Sequence, residues 1–268
     1  RITLEYLKNI NPDLCIHSFK SYTKVFDWEI PDEWNIYDAY IEHESGKRFA
    51  EFSVNNLHVL GYSTPCDTNI SLDELLPHIY TQPDQPDLIP YVTSYYIDRW
   101  GFCMSENDKR DLPKGKYHVV IDAKKGPGSL ELADLKINGE SSNEIFFSTN
   151  VCHPSMANNE LSGPVISTAL IQYVKEKYPN PKYTYRFVFV PETIGSITYL
   201  SKHLDELQEN VVCGFNLSCV GDEREYSHIK SRTGDNLADN ALQAALIGLD
   251  NVVTYSFLER GSDERQYC

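Results

Sequence analysis

The sequence predicts an α/β fold, built on a mostly parallel sheet with helices on both faces and carrying an inserted small antiparallel β module. One observation comes after residue 144, where apolar strand-like runs alternate with segments whose apolar residues recur at helical spacing. Such alternation is typical of parallel strands joined by helices. The other comes between residues 36 and 135, where short β-like runs are separated by turn residues, as in antiparallel modules.

The elements are predicted in chain order as follows. A leading helix is expected before residue 35, and the module contains β-like runs at residues 48–54, 57–62 and 117–122 and a loop at 81–87. The second half predicts strands at residues 145–149, 183–190, 211–217 and 252–258. It predicts helices at residues 163–178, 197–207 and 235–249, the last with Asp235 as its N-cap.

Two domains are therefore expected. Residues 1–35 and 136–268 form the α/β domain, which we expect to be incomplete at its C-terminus, and residues 36–135 form the inserted β-rich module. A chain of 268 residues is long enough for one large domain that carries a smaller one.

Composition excludes several classes of function. The net charge of −15 repels phosphate backbones, so a nucleic-acid partner is not expected. No apolar run approaches the roughly 20 residues that span a bilayer, so no membrane association is expected. The seven cysteines are odd in number and include no Cys-x-x-Cys pair, which favours a reducing, cytoplasmic location over a disulfide framework.

Polar segments follow each predicted strand of the α/β domain. They lie at residues 150–163, 191–196, 218–224 and 259–265. In open α/β sheets, ligands bind beyond the carboxyl ends of the strands, so these segments should surround one crevice. Together they contribute one histidine, His153, and several carboxylates.

These residue types suit a catalytic metal site. Imidazole and carboxylate groups bind zinc, and a carboxylate outside the coordination shell can act as general base. His153 is the candidate ligand and Glu192 the candidate base. The structural alternative is that His-Pro forms only a turn and that Pro-Glu only opens a helix.

A nucleophilic mechanism is the competing chemistry. Cys152 adjoins His153, but adjacent side chains on an extended chain point to opposite sides, so the two are not expected to meet. Ser162-Gly163 lacks the Gly-x-Ser-x-Gly pattern of a nucleophile turn.

The runs at residues 152–164 and 191–197 resemble those of the aminopeptidase-like proteins found with bacterial surface-polysaccharide genes. The same resemblance extends over nearly the whole chain, through residues 26–34, 56–59, 89–91, 94–96, 100–103, 219–224 and 260–265. That family is similar in turn to the dinuclear-zinc aminopeptidases. The resemblance implies a sheet of phosphorylase/hydrolase-like topology.

The resemblance also implies a site. The first zinc-binding histidine falls on His153 and the general base on Glu192, while the metal-bridging aspartate falls on Asn159. Two further carboxylate ligands fall on Thr193 and Ser218, and the last histidine ligand would lie beyond Cys268.

One zinc ion at most is therefore implied, with His153 and a carboxylate such as Glu160, Asp222 or Asp263 as ligands. The function implied is a metal-dependent amide hydrolase of aminopeptidase type, acting on a small aminoacyl or acylamino sugar or a peptide in polysaccharide biosynthesis. The loss of charged ligands leaves an alternative open, a non-catalytic binding or scaffold protein that retains the hydrolase fold.

Overall fold

The computed structural model describes residues 1–95 and 97–268. Tyr96, which lies in one of the segments that carry the family resemblance, is outside the described residues. The α-helices are α1 (Ile2–Ile10), α2 (Leu72–Leu75), α3 (Glu106–Arg110), α4 (Ala157–Lys177), α5 (Ile194–Asn210), α6 (Leu237–Leu246) and α7 (Glu264–Tyr267). Short 3₁₀ turns lie at Asn56–His58, Leu76–His78 and Phe257–Glu259.

The first strands along the chain are β1 (Cys15–Lys20), β2 (Lys24–Val25), β3 (Trp28–Glu29), β4 (Glu33–His43), β5 (Arg48–Phe49), β6 (Cys66–Ser71), β7 (Ile79–Tyr80) and β8 (Phe102–Cys103). The later ones are β9 (Lys116–Gly126), β10 (Ser129–Ile137), β11 (Ser141–Asn150), β12 (Tyr183–Val190), β13 (Val211–Leu217), β14 (Tyr226–Ile229) and β15 (Val252–Tyr255).

The chain forms two compact units. One comprises Arg1–Pro31 and Ser129–Cys268, and the other comprises Asp32–Gly128. The limits differ by a few residues from those expected at 36 and 135, because β10 belongs wholly to the first unit and the long strand β4 begins the second. The division into an aminopeptidase-like domain and an inserted module stays a prediction.

The first unit is built on a five-stranded mixed sheet in the order β1-β10-β12-β11-β13. Strands β12, β11 and β13 are parallel, whereas β1 and β10 join antiparallel at one edge. The prediction of a mostly parallel sheet is therefore wrong. It failed because β1 lies in the segment expected to be helical, and β10 straddles the expected boundary at residue 135.

Helices cover both faces of this sheet, as predicted. Phe187 and Phe189 pack with Ile171 of α4 and Leu7 of α1, whereas the alternate residues of β12 pack with α5. Successive side chains of a strand point to opposite faces, so α1 and α4 lie on one face and α5 on the other. Burial of these apolar faces stabilises the layers by roughly 25 cal/mol per Å².

Helix α4 begins six residues before the predicted start at residue 163. The first turns of the helix are polar, and Pro164 lies inside it, so apolar spacing gave no signal there. A Cβ on Gly163 would lie 2.0 Å from Thr149 Oγ1 and 2.3 Å from the Leu217 carbonyl oxygen. Only glycine therefore lets α4 approach the ends of β11 and β13 so closely.

Two predictions near the C-terminus are wrong. The fourth strand, β15, stops at Tyr255 and pairs with β14 in a separate two-stranded parallel sheet. Helix α6 begins at Leu237, and its N-cap is Asn236, whose side chain accepts from the Asp239 amide at 3.0 Å. Hydrophobic periodicity identified both segments, but it carries no information on strand partners or on the cap.

The second unit has an antiparallel sheet in the order β5-β4-β9-β6, as expected for the β module. Its core includes Ala39, Ile41, Tyr117, Val119 and Ile121. The β-like run at residues 48–54 forms a strand only at Arg48–Phe49, and residues 57–62 form a 3₁₀ turn and bridges.

Within residues 1–95 and 97–268, no helix is long and apolar enough to cross a membrane.

Candidate functional site

His153 and Glu192 meet at the carboxyl ends of the parallel strands. His153 follows β11 and Glu192 follows β12, and the imidazole Nε2 lies 2.9 Å from Glu192 Oε2. Both side chains are largely buried, with 11% and 21% of their surface exposed. The two residues that the sequence singled out are therefore direct partners.

A strained turn holds Glu192 in place. Thr193 has φ 63° and ψ −66°, and the Ile194 amide donates to the Glu192 carbonyl at 2.7 Å, which forms a γ-turn. The Thr193 amide donates to Asp263 Oδ1 at 2.7 Å. A β-branched residue at positive φ costs about 1–3 kcal/mol, so neighbouring contacts must enforce this conformation.

Asn150, the last residue of β11, links this pair to the C-terminal segment. Its buried amide nitrogen donates to Ser262 Oγ at 2.8 Å and lies 3.5 Å from Glu192 Oε1. A cavity of about 240 Å³ opens here, lined in part by Glu192, Arg260 and Arg265. Sequence reasoning missed Asn150 and Ser262, although a polar residue that ends an apolar strand is a usable signal.

Glu160 lies on the first turns of α4, beside His153. Its Oε2 accepts from the Cys152 backbone amide at 2.6 Å, while its Oε1 is buried without a hydrogen-bond partner among the described residues. The carboxylate therefore holds the start of the loop that carries His153.

Asn159 and Asp222 lie at the neighbouring strand end. The Asn159 amide nitrogen lies 3.5 Å from Cys219 Sγ, next to Ser218 at the end of β13. Asp222 accepts from Arg224 at 2.6 Å and from Asn158 at 2.8 Å. Asp222 is therefore already engaged by donors.

The pKa values of His153 and Glu192 shift in opposite directions. Burial would lower the pKa of His153, but hydrogen bonds with Cys152 and Glu192 outweigh it and raise the pKa to about 10. The same hydrogen bond from His153 lowers the pKa of Glu192. The two shifts favour the imidazolium–carboxylate form of the pair.

The pKa values of two nearby carboxyl groups are raised, in contrast to that of Glu192. Burial raises the pKa of Asp263 to about 7, with the charge of Glu192 adding to it against the hydrogen bond from Thr193. Burial also raises the pKa of Glu160. Both groups are reluctant to carry charge unless a cation is near.

Cys152 contacts His153, contrary to the expectation that the two side chains diverge. Its Sγ lies 3.4 Å from the imidazole Nδ1. The chain has already left β11 at Asn150, so the alternation of a strand does not apply at residues 152 and 153.

The donor atoms of the site test whether a zinc ion fits. Five buried oxygens near the strand ends accept no hydrogen bond among the described residues: Asn150 Oδ1, Asn159 Oδ1, Glu160 Oε1, Asn216 Oδ1 and Asp263 Oδ2. Buried acceptors without donors are what a cation would satisfy. In the same described residues, no three His, Cys, Asp or Glu side chains are grouped to hold a metal. The described residues thus offer unpaired buried oxygens, but no group of three metal-ligating side chains.

The comparisons with known proteins agree with this fold. A family model, Domain of unknown function (DUF4910), matches residues 1–268. A curated Clostridium acetobutylicum protein, named as a polysaccharide biosynthesis protein with an aminopeptidase-like domain, is 42% identical over 269 residues. The match covers 100% of this chain and 61% of that protein, so the chain spans about three fifths of the relative. This relative confirms the resemblance predicted from the sequence.

Solved structures give the same result. A C. acetobutylicum crystal structure named as a peptidase has a TM-score of 0.91 at 41% identity and covers 98% of this chain and 62% of its own. A zinc aminopeptidase from Bacillus subtilis has a TM-score of 0.62 at 11% identity, and the match covers 94% of this chain and 71% of that protein. An Aneurinibacillus aminopeptidase has a TM-score of 0.57 at 12% identity, and the match covers 99% of this chain and 76% of that protein. The last two likenesses concern the fold alone.

Proposed function

Since the chain belongs to the DUF4910 family, whose activity its description leaves open, we propose a function from the site itself: a metal-dependent amide hydrolase of aminopeptidase type. The observation that carries the proposal is the 2.9 Å contact between His153 and Glu192 at two parallel strand ends, surrounded by unpaired buried oxygens. This is where ligands bind in such sheets.

Glu192 is the proposed general base. The ordinary pKa of 4.5 already leaves its carboxylate ionised at neutral pH, and the hydrogen bond from His153 lowers that pKa further, so it can accept a proton from an attacking water. Asn150 and the turn at Thr193 fix its direction. The proton would then pass from Glu192 to the leaving amine.

A single zinc ion would be held by His153 with oxygens of Asn159, Glu160 or Asp263. When bound, it would supply Lewis-acid polarisation of the amide carbonyl. Binding it requires the proton to leave His153, whose pKa of about 10 makes metal affinity rise with pH. Asp222 is a weaker candidate because Arg224 and Asn158 already occupy its oxygens.

The proposed substrate is a small aminoacyl or acylamino sugar, with a peptide as the other possibility. The name of the C. acetobutylicum relative, which refers to polysaccharide biosynthesis, supports the sugar. All seven cysteines are free, which fits a cytoplasmic location for this reaction.

The test combines metal analysis with turnover of amino-acid 4-nitroanilides and N-acylated aminosugars. We expect about one zinc per chain, turnover lost on chelation, and a turnover rate that falls 10²–10⁴-fold in Glu192→Gln. The exposed Glu176→Gln on α4 is the charge-matched control and should keep full activity.

Absence of bound zinc together with unchanged turnover in Glu192→Gln would contradict the proposal. Saturable binding of an aminosugar without turnover, indifferent to chelator, would support the non-catalytic alternative instead.

A further inference from the structure

A second, basic cavity lies in the first unit, next to the crevice of Glu192. Strands β14 and β15 run parallel with Ile229 opposite Tyr255, so the loops that follow them leave side by side. A cavity of about 620 Å³, open to solvent, lies between these loops. Among its lining groups are three cations and three hydroxyls: Lys230, Arg232, Arg260, Ser231, Thr233 and Ser256.

The charge of this cavity is opposite to that of the chain. No residue that lines it is acidic, although the chain as a whole has 39 acidic and 24 basic residues. The carboxylate of the neighbouring Glu259 lies within its own 3₁₀ turn, where it accepts from the Ser256 amide at 2.8 Å. The cavity is therefore a local positive field in an acidic protein.

The cations are held together without an anionic partner. The guanidinium carbons of Arg260 and Arg232 lie 4.6 and 5.7 Å from the centroid of the same ring, Phe257. In the described part of the chain, none of the three cations lies within 4.0 Å of a carboxylate oxygen, and Arg260 Nε is buried with no acceptor. A buried guanidinium N–H without an acceptor points to a missing anion.

Arg260 also borders the candidate active site. It lines the cavity of about 240 Å³ that contains Glu192 and Arg265, so Arg260, together with Leu258, belongs to both cavities. A molecule anchored in the basic cavity would pass Arg260 to reach Glu192.

We propose that the basic cavity binds a diphosphate group carried by the substrate, an inference that rests on the proposed hydrolase function. Three cations exceed the charge of a single carboxylate, whereas a terminal phosphate alone carries about −1.5 to −2 at neutral pH and a terminal diphosphate carries more. Guanidinium forks match phosphate oxygens in pairs. The hydroxyls of Thr233 and Ser256 supply further donors, because that of Ser231 already donates to Asp239 at 2.5 Å. The acceptor-rich crevice would then hold the amide while the basic cavity holds the anion.

The test is calorimetric titration of chelator-treated protein with inorganic pyrophosphate. We expect saturable binding, tighter than that of inorganic phosphate, and about tenfold weaker in Arg232→Gln and in Arg260→Gln. Arg260→Lys keeps the charge but loses the fork, so it should weaken binding less than Arg260→Gln. Arg110→Gln, on an exposed arginine of the other unit, should bind as the wild type does.

No saturable binding, or equal weakening in all three glutamine variants, overturns the subsite. Melting temperatures of the variants exclude misfolding as the cause of any loss. Glu192→Gln separates the two proposals, since pyrophosphate should bind it normally. Pyrophosphate binding in a chain without amide hydrolysis overturns the hydrolase, and with it the substrate role of the cavity. Hydrolysis without pyrophosphate binding overturns the subsite alone.

Discussion

The interior of the five-stranded sheet and its carboxyl edge treat buried charge in opposite ways. In the interior, Arg186 donates to Glu144 at 2.6 and 3.0 Å and to Tyr199 at 2.8 Å, and both ions are 1% exposed. Lys136 and Glu206 complete the network. The Lys136 ammonium lies 2.7 Å from Glu144 and 2.9 Å from Glu206, and Glu206 lies 2.7 Å from the Arg186 guanidinium. At the carboxyl edge, by contrast, buried oxygens of Glu160 and Asp263 lack donors.

The difference distinguishes a structural network from the proposed binding site. A buried ion pair that is fully hydrogen-bonded offsets its own cost of desolvation, whereas removal of one partner leaves an uncompensated buried charge and is strongly destabilising. A buried group left unpaired reduces stability, and it persists where a ligand supplies the missing partner. The interior network should therefore respond to mutation through stability, and the edge through binding and turnover.

The largest effect is expected in the interior. Glu144→Gln leaves the Arg186 guanidinium buried with a weakened partner, so the free energy of unfolding should fall by about 3 kcal/mol. Glu160→Gln at the edge removes a charge that burial disfavours and should change it by less than about 1 kcal/mol. Urea denaturation of both variants measures this. Equal losses would remove the distinction between interior and edge.

Adding charge at the edge should instead improve binding. Asn159→Asp places a carboxylate where the resemblance puts a metal ligand, and we expect zinc affinity to rise at least about tenfold. Asn143→Asp makes the same change at the start of β11, on the exposed opposite end of the strand, and should leave affinity unchanged. Competition with a chromogenic chelator reports both values. A similar gain in the two variants would show only a general charge effect.

A smaller effect is expected in acid. Hydrogen bonds and charges from Lys136 and Arg186 outweigh burial and lower the pKa of Glu206 to about 2. Because the folded pKa lies below the unfolded one of 4.5, this stabilisation is present above pH 4.5 and is lost as the pH falls towards 2.

Since Glu206 is 41% exposed, solvent screening limits the contribution to about 1 kcal/mol. Glu206→Gln should thus lose about 1 kcal/mol at pH 7, and its difference from the wild type should disappear as the pH falls from about 4.5 to about 2. The exposed Glu209→Gln on the same helix should match the wild type throughout. A constant difference across pH would assign the loss to packing.

The smallest effect is expected for Cys152→Ser. The thiol lies 3.4 Å from His153, but it has no role in the proposed hydrolysis, so turnover should change by less than about threefold. A loss of more than 100-fold with zinc content unchanged would instead favour a thiol nucleophile. Rates in the presence and absence of chelator separate the two mechanisms.

Sequence reasoning predicted the parts of this fold that depend on local pattern. Strand β12 was predicted from end to end, because its residues are nearly all β-branched or aromatic and it is buried on both faces. Strand β13 was predicted equally well. The antiparallel edge was missed, since pairing between β10 and β12 depends on residues about 50 positions apart, which periodicity does not encode.

The candidate site follows the same division. His153 and Glu192 were accessible to sequence reasoning, because each ends an apolar strand of a parallel pair. The contact between Asn150 and Ser262 joins residues 112 positions apart. The basic cavity likewise requires the pairing of β14 with β15, which was not foreseen.

The hydrogen bond from the Thr193 amide to Asp263 has a consequence for the order in which the chain folds during its synthesis. The two residues are 70 positions apart in the chain. At about 5–20 residues per second, a ribosome adds Asp263 roughly 4–14 s after Thr193. Once Leu217 has been added, the nascent chain contains all five strands of the sheet, but until Asp263 follows, the turn after Glu192 lacks the contact that holds the unfavourable backbone angles of Thr193. The sheet can therefore form before the side chain of Glu192 is fixed, and the proposed site is ordered only when the segment that carries Asp263 docks.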